Sequence, residues 1–310
     1  MVAVPAVGFT QRQEIYDWWV LRDYIPPPAI ANLATADTMN EKARRIFYVN
    51  EPELIADTTN FRNNCSTGEQ TIVLGCYHSG QQGIFVFDVT DERLLGIEEV
   101  TAAHEMLHAA YDRLSAKDKE EINRLLTDYY QNELKDKRIL DTIEGYKKTE
   151  PYDVVNEMHS IFGTEVTSLP APLEEYYKRY FNNRAAVVAY SQKYEAEFTS
   201  RTNKAQQYEE QLNSLQQKID AAEAALAAQS ERITSEQARL DALRSSGQLE
   251  EYNRNVAGYN VLVDAYNSGV ASYKRDVERY NNILAQYNSV AGELNQLYGA
   301  IDTRLSPKTK

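Results

Sequence analysis

The sequence predicts an α+β protein in two parts. The first part, residues 1–183, is a domain with a small antiparallel sheet and several helices. The second, residues 184–305, is a long antiparallel α-helical coiled-coil hairpin. Three observations support this: short β-branched and aromatic runs between residues 45 and 89, apolar residues at helical spacing to about residue 180, and a heptad repeat thereafter.

The sheet is predicted from three runs bounded by Gly, Asn, Asp or Ser: Arg45–Asn50, Thr71–Tyr77 and Gly83–Val89. Residues 78–82 contain Gly80 and connect the last two runs, as expected for a hairpin loop. A helix over Gln11–Tyr24, which stops at the Pro26-Pro27-Pro28 run, and a weaker helical pattern over Ala29–Arg45 come before and beside the first run.

Helices dominate the rest of the first part. Apolar residues recur at helical spacing over Ile97–Leu114, without Pro or Gly. Ser115 is the predicted N-cap of a helix that ends near Leu134. A further helix is predicted to open at Thr149-Glu150-Pro151 and to end just before Gly163, and another spans Leu173–Tyr180.

The second part is predicted from a heptad repeat. Tyr recurs every seven residues from Tyr252 to Tyr287, and apolar residues between them give alternating spacings of four and three, which is typical of a coiled-coil seam. Residues 194–243 have a seam of their own. The one turn signal between the two arms lies at residues 245–248, which contain Gly247, so the arms should fold back on each other.

Composition restricts the partners. The 310 residues have a net charge of -13, which disfavours nucleic acid because a phosphate backbone requires a basic surface. No apolar run approaches the roughly 18 residues of a membrane span. The N-terminus has no signal-peptide pattern. We therefore expect membrane anchoring only if a leader or anchor was removed from the chain.

Cys65 and Cys76 are the two cysteines of the chain. They could be buried thiols in a reducing compartment or one disulfide in an exported protein. The polar, loop-like sequence around Cys65 favours the disulfide. The expected location is therefore extracytoplasmic, that is, secreted, at the cell surface or in the envelope. A metal site formed by both cysteines and His78 would match no standard zinc spacing.

The strongest motif is His104-Glu105-Met106-Leu107-His108. Residues four apart on a helix lie on one face, so the two imidazoles can bind one Zn²⁺ ion. Glu105 between them can act as general base toward a zinc-activated water. A catalytic zinc site needs a third protein ligand. Glu157 is the first candidate and His159 the second, followed by Glu165 and Asp153.

The motif, followed by Asn156-Glu157-Met158-His159-Ser160-Ile161-Phe162-Gly163, resembles the gluzincin zinc metallopeptidases of the thermolysin-like clan. The resemblance covers roughly residues 83–165. It implies a zincin-like domain in which His104, His108 and Glu157 bind zinc and Glu105 is the base. The acidic residue that gluzincins carry one turn after the ligand Glu is replaced by Ile161. Asp112 or Asp153 is then expected to orient a zinc-binding histidine.

The resemblance further implies that the strand over residues 83–89 lies at the edge of the cleft, where an extended peptide could add as a strand. Tyr152 and His159, on the Glu157 helix, are the nearest candidates to stabilise the oxyanion. The predicted function is therefore zinc-dependent hydrolysis of peptide bonds in a protein, a peptide or a cell-wall peptide.

The coiled coil is expected to position the enzyme, to dock a protein partner or to self-associate. The alternative function is that of a non-enzymatic surface or envelope interaction protein with a structural or relic zinc site. The intact Glu105 favours the enzyme, because a structural zinc site has no use for a general base.

Overall fold

The computed structural model describes residues 8–65, 72–80, 82–149 and 151–304. The chain forms two compact units: Met1–Phe198 with Gln296–Lys310, and Thr199–Asn295. Most of the described residues are helical, and the one described sheet lies in the first unit, so the protein is α+β as predicted. The predicted domain boundary after residue 183 stays a prediction.

The sheet has three strands, β1 (Glu53–Ile55), β2 (Gly75–His78) and β3 (Gly83–Phe87), in the order β1-β3-β2. β2 and β3 form the predicted antiparallel hairpin, with Gly75 opposite Val86. β1 is parallel to β3, with Glu53 opposite Phe85. The prediction of an all-antiparallel sheet was therefore wrong. The sheet is mixed because β1 joins β3 from an earlier and distant part of the chain.

The predicted strand over residues 45–50 is also wrong. Helix α1 (Gly8–Leu21) and helix α2 (Pro28–Ala36) are followed by helix α3 (Glu41–Val49), which includes most of that run. The Asn40 side chain caps α3 by accepting a hydrogen bond from the Ala43 N–H group. Ala43, Ile46 and Phe47 then share one buried face at helical spacing. A short apolar run fits both periods, and here the cap and the buried face make it a helix.

The motif helix was predicted correctly. After helix α4 (Thr58–Asn64), the chain passes through β2, β3 and a 3₁₀ turn into helix α5 (Ile97–Asp112). Gly96, at φ 108°, precedes α5 in the left-handed region that favours glycine. Helix α6 (Ala116–Asn132) begins as predicted, because the Ser115 hydroxyl oxygen accepts a hydrogen bond from the Asp118 N–H group.

Helix α7 (Lys137–Thr149) was not predicted, whereas helix α8 (Val154–Thr164) and helix α9 (Ala171–Tyr177) were. The predicted start of α8 at Thr149-Glu150-Pro151 was wrong, because Thr149 ends α7 and α8 begins at Val154. Gly163 lies within α8 rather than just past its end. A Cβ atom at Gly163 would lie 2.4 Å from Leu107 Cδ1 and 2.8 Å from Tyr177 Cε1. The glycine is therefore required for close packing of α8 and not as a helix stop.

The second unit consists of parts of two long helices, α10 (Arg184–Ser245) and α11 (Leu249–Ile301). Three contacts show that they run antiparallel. Arg201 forms an ion pair with Glu293 at 2.9 Å, Leu212 and Leu215 pack in one cluster with Ile283, and the Arg239 guanidinium donates to Asn255 Oδ1 at 2.7 Å. The predicted hairpin and its turn are therefore seen. Tyr280 and Tyr287 of the heptad series pack against the cluster.

Candidate metal centre

Helices α5 and α8 carry the candidate site and pack against each other in the first unit. Tyr111 of α5 contacts His159 of α8 at a ring distance of 5.3 Å, and the Gly163 end of α8 meets Leu107. The later residue of α5, Tyr111, thus contacts the earlier residue of α8, His159, so the two helices run antiparallel. This arrangement brings the middle of α5, with both motif histidines, to the first turns of α8.

His104, His108 and Glu157 converge at this place. The two imidazole Nε2 atoms lie 3.0 Å apart. His104 Nε2 is 3.6 Å from Glu157 Oε2, and His108 Nε2 is 3.4 Å from Glu157 Oε1. One ligand atom from each of the three residues lies within 4.8 Å of the other two. In the described ranges, no other group of three or more His, Cys, Asp or Glu residues has its ligand atoms this close together.

These residues fit a zinc ion. Tetrahedral coordination at 2.0–2.1 Å places ligand atoms about 3.3 Å apart, close to the observed separations. Glu157 Oε2 is buried without a hydrogen-bond partner among the described residues. Burial alone would raise the pKa of Glu157, but the neighbouring His108 and His104 outweigh it and hold this pKa below its ordinary value. The carboxylate is thus in the form that binds a metal.

Glu105 lines the same cleft as the three candidate ligands, and the cleft has a volume of about 590 Å³. One wall is β2 with the residues before it, not β3. The predicted cleft strand over residues 83–89 was therefore wrong, because β3 is the central strand of the sheet and β2 is the edge strand. Thr101 of α5 also lines the cleft.

The structure does not bring Tyr152 or His159 to the cleft. Tyr152 is fully exposed beside the start of α8. His159 is fully buried, and its Nε2 atom is hydrogen-bonded to the Tyr176 hydroxyl at 2.9 Å. Burial, together with the proximity of the His108 and His104 rings, lowers the pKa of His159 to about 3, so the His159 ring is neutral. Residues two apart on a helix face different sides, and Glu157 takes the side toward the cleft.

The remaining predicted candidates have other partners. Glu165 lines the cleft but forms an ion pair with Arg138 at 2.6 Å. Asp153 lines it too and accepts hydrogen bonds from the Asn156 amide at 3.1 and 3.3 Å. Asp112 accepts a hydrogen bond from the Tyr77 hydroxyl at 3.2 Å. Neither aspartate shows the hydrogen bond to a histidine ring that an orienting partner would make.

Sequence reasoning missed three phenols that line the cleft, Tyr77, Tyr146 and Tyr194. The Tyr146 hydroxyl is hydrogen-bonded to Glu157. Tyr146 lies on α7, and the spacing of Ile139, Ile143 and Tyr146 along that helix was the signal that could have identified it. Tyr77 belongs to β2 and would have been identified if β2 had been recognised as the wall of the cleft.

Cys65 and Cys76 form a disulfide, as predicted, with a Cα–Cα distance of 5.7 Å. It connects the end of α4 to β2, the strand that lines the cleft. A disulfide indicates an oxidising, extracytoplasmic environment. None of the described helices is long and apolar enough to cross a membrane.

Comparisons of the chain with protein-family models, with curated proteins and with solved structures found no match. The fold and the candidate site therefore carry the functional argument by themselves.

Proposed function

We propose that this protein is a zinc-dependent metallopeptidase that hydrolyses peptide bonds, with a gluzincin-like ligand set of His104, His108 and Glu157. The observation that carries the proposal is the convergence of these three side chains in a cleft that Glu105 also lines. A structural zinc site usually has four protein ligands and no open position. Three ligands beside an open cleft and a carboxylate favour a catalytic site.

When bound, zinc would supply a Lewis acid that polarises the substrate carbonyl and lowers the pKa of water near it. Glu105 takes the proton of the attacking water and passes it to the leaving nitrogen. Glu105 suits this role because it is only 6 % exposed, and this burial shields the transferred proton from bulk water. Glu157 remains a carboxylate and is held by the Tyr146 hydroxyl.

The substrate would bind as an extended strand beside β2. The Leu74 carbonyl accepts a hydrogen bond from the Phe87 N–H group and so points toward β3. Because backbone groups alternate along a strand, those of Gly75 point to the opposite side of β2. A peptide there would lie along α5, past His104 and His108. The candidates to donate to the oxyanion are then Tyr77 and Tyr146, rather than Tyr152 and His159. Each would first have to turn its hydroxyl away from its present acceptor, Asp112 for Tyr77 and Glu157 for Tyr146.

The test measures zinc content and hydrolysis together. The zinc-loaded protein is incubated with a library of quenched fluorescent peptides, beside Glu105→Gln and the control Glu120→Gln, which changes an exposed glutamate of α6. We expect one zinc per chain in all three proteins and at least a 100-fold loss of hydrolysis in Glu105→Gln alone. Full hydrolysis by zinc-loaded Glu105→Gln would refute the assignment of the base.

A second candidate function, a non-enzymatic interaction protein of the surface or envelope, is favoured by the long helical hairpin of the second unit. Several tyrosines of its heptad series are only half-buried, so they retain surface for a protein partner or a second copy. In the enzyme, the same hairpin would position the catalytic unit or dock a partner. Absence of bound zinc and of hydrolysis in the test above would favour the interaction protein.

A further inference from the structure

Gly75, the first residue of β2, lies directly against the proposed general base. A Cβ atom built on Gly75 would be 2.7 Å from Glu105 Oε1, 2.9 Å from Glu105 Cγ and 2.5 Å from Thr101 Cγ2. Real Cβ atoms essentially never approach other heavy atoms below 3.0 Å. Any side chain at this position would therefore displace one of its neighbours.

The backbone of Gly75 gives no separate reason for glycine. Four described glycines have φ in the positive region, Gly80, Gly83, Gly96 and Gly247, and Gly75 is not among them. Gly75 is paired in the regular ladder opposite Val86. Its backbone conformation is thus open to other residues, and the requirement for glycine comes from the space that Glu105 and Thr101 occupy.

The strand is held in place from its other face. Cys76, the next residue, points to the opposite side of the strand and is tied to Cys65 by the disulfide. Cys76 packs in a buried cluster with Phe61 and Phe87. A Cβ atom at position 75 would therefore not push β2 away easily. The Thr101 side chain is also held, because its hydroxyl donates to the Ile97 carbonyl at 2.7 Å. The Glu105 carboxylate, at the end of a flexible side chain, is the group that would move.

We propose that Gly75 is a positioning residue for Glu105: the missing side chain lets β2 lie against the carboxylate and hold it in the orientation that proton transfer requires. This inference rests on the proposed peptidase function. A displacement of about 1 Å in a reacting group can reduce a rate by about 100-fold. A single added methyl group at position 75 should then reduce the rate of the chemical step and leave the fold and the metal ligands in place.

The experiment compares Thr101→Ser with Thr101→Ser/Gly75→Ala. Serine keeps the hydroxyl of Thr101 and removes its Cγ2 atom, so the two that remain of the three nearest contacts of the added Cβ atom are both Glu105 atoms. We expect kcat to fall about 100-fold, KM to change less than about threefold, and zinc content and Tm to match those of Thr101→Ser. Gly258→Ala, where a Cβ atom meets nothing within 4 Å, is the control for a glycine-to-alanine change as such.

A double-mutant cycle with Glu105→Gln identifies the route of the effect. If Gly75 acts through Glu105, Gly75→Ala causes no further loss in the Glu105→Gln background. Losses that multiply, an unchanged kcat, or a loss of zinc or of folding in the Thr101→Ser/Gly75→Ala protein would each overturn the inference. The wild type is measured first. If it hydrolyses peptides, these outcomes concern Gly75 alone, whereas an inactive zinc-loaded wild type would refute the proposed function and this inference with it.

Discussion

Nε2 of His108 lies 3.4 Å from Oε1 of Glu157, although the two residues belong to helices separated by α6 and α7. The antiparallel packing of α5 and α8 produces this proximity. It also places the side chains of Glu157 and His159 on different sides of α8, so that His159 contacts Tyr111 and Tyr176 in the core. The identity of the third ligand is therefore a matter of helix face, and metal binding can test it directly.

Glu157→Ala should reduce zinc affinity by at least about 100-fold. Even the loss of a residue that only orients a metal ligand lowers metal affinity by about 10–100-fold, and Glu157 is proposed to bind the metal itself. The matched control is His159→Phe. It keeps an aromatic ring packed against Tyr111 and Tyr176 and removes the hydrogen bond to the Tyr176 hydroxyl. Competition with a chromogenic chelator measures both affinities. If His159→Phe loses zinc and Glu157→Ala retains it, the ligand set is wrong.

Glu98 should make stability depend on pH between about 4.5 and 7. Burial raises the pKa of Glu98 from 4.5 to about 7. The Val89 N–H group donates a hydrogen bond to the Glu98 carboxylate, which lowers this pKa but does not outweigh burial. Within this range the folded protein keeps the proton that the unfolded chain releases, so stability falls as pH rises through it. Above pH 7 both states are ionised, and this group adds no further change.

We therefore expect Glu98→Gln to be more stable relative to wild type at pH 8 than at pH 5, by about 1 kcal/mol after allowance for solvent access. Urea unfolding at a series of pH values measures the difference, with Glu120→Gln as a control for loss of an exposed carboxylate. If the difference in free energy of unfolding between wild type and Glu98→Gln is the same at both pH values, the raised pKa of Glu98 is refuted.

Asp37 is a second buried carboxyl, fully enclosed at the end of α2, and neither of its oxygens has a hydrogen-bond partner among the described residues. Burial, with a smaller contribution from Glu99, raises the pKa of Asp37 well above its ordinary value. Below about pH 3.9 the folded and unfolded states both hold the proton. As pH rises further, only the unfolded chain releases it, and stability is lost until pH passes the folded pKa.

Asp37→Asn cannot ionise, so it should raise Tm by a few degrees at pH 8 and by much less near pH 4. Scanning calorimetry at the two pH values measures this. The buried amide keeps the shape of the side chain and carries a smaller desolvation penalty than a carboxylate. A lower Tm for Asp37→Asn than for wild type at pH 8 would refute the raised pKa of Asp37.

Much of the fold could be predicted from local signals. The spacing of apolar residues gave α5, the Ser115 cap gave the start of α6, and the heptads with Gly247 gave the hairpin. The order of the sheet could not be predicted, because β1 is three residues long and pairs with a distant strand. A run of six residues after Arg44 fits both a strand and a helix, and only the Asn40 cap and the buried face of α3 resolve it.

The candidate site divides in the same way. Helical spacing alone places His104, Glu105 and His108 together, whereas the choice of Glu157 depends on which face of α8 meets α5. Tyr146 reaches the cleft from α7, a charged helix that composition did not reveal. The glycine within the run 71–77 could have indicated a close approach of the backbone. It could not indicate that the neighbour is Glu105.

The disulfide should contribute to stability, because it closes a loop between residues 11 positions apart and restricts the unfolded chain. Cys65→Ala/Cys76→Ala is expected to lose about 2–3 kcal/mol, or about 5–10 °C in Tm. Added reductant should lower the Tm of wild type toward that of the double variant and leave the variant unchanged. Thiol titration verifies reduction. A fully reduced wild type with an unchanged Tm would show that the crosslink adds nothing.

Gly163→Ala should disturb the metal site from a distance. The added Cβ atom would lie 2.4 Å from Leu107 Cδ1 and 2.8 Å from Tyr177 Cε1, and both neighbours are fully buried. Because the core is closely packed, α8 must move away from α5, at a cost of about 1–3 kcal/mol. Such a movement carries Glu157 away from His104 and His108. We expect a lower Tm and weaker zinc binding together in Gly163→Ala.

The matched control is Gly145→Ala, since a Cβ atom at Gly145 of α7 meets nothing within 4 Å. That change should leave Tm equal or higher, because alanine favours a helix over glycine. If Gly163→Ala lowers Tm and leaves zinc affinity as in Gly145→Ala, the spacing of α5 and α8 does not control the separation of the ligands. The three side chains would then adapt to the ion rather than be preorganised for it by the packing of the two helices.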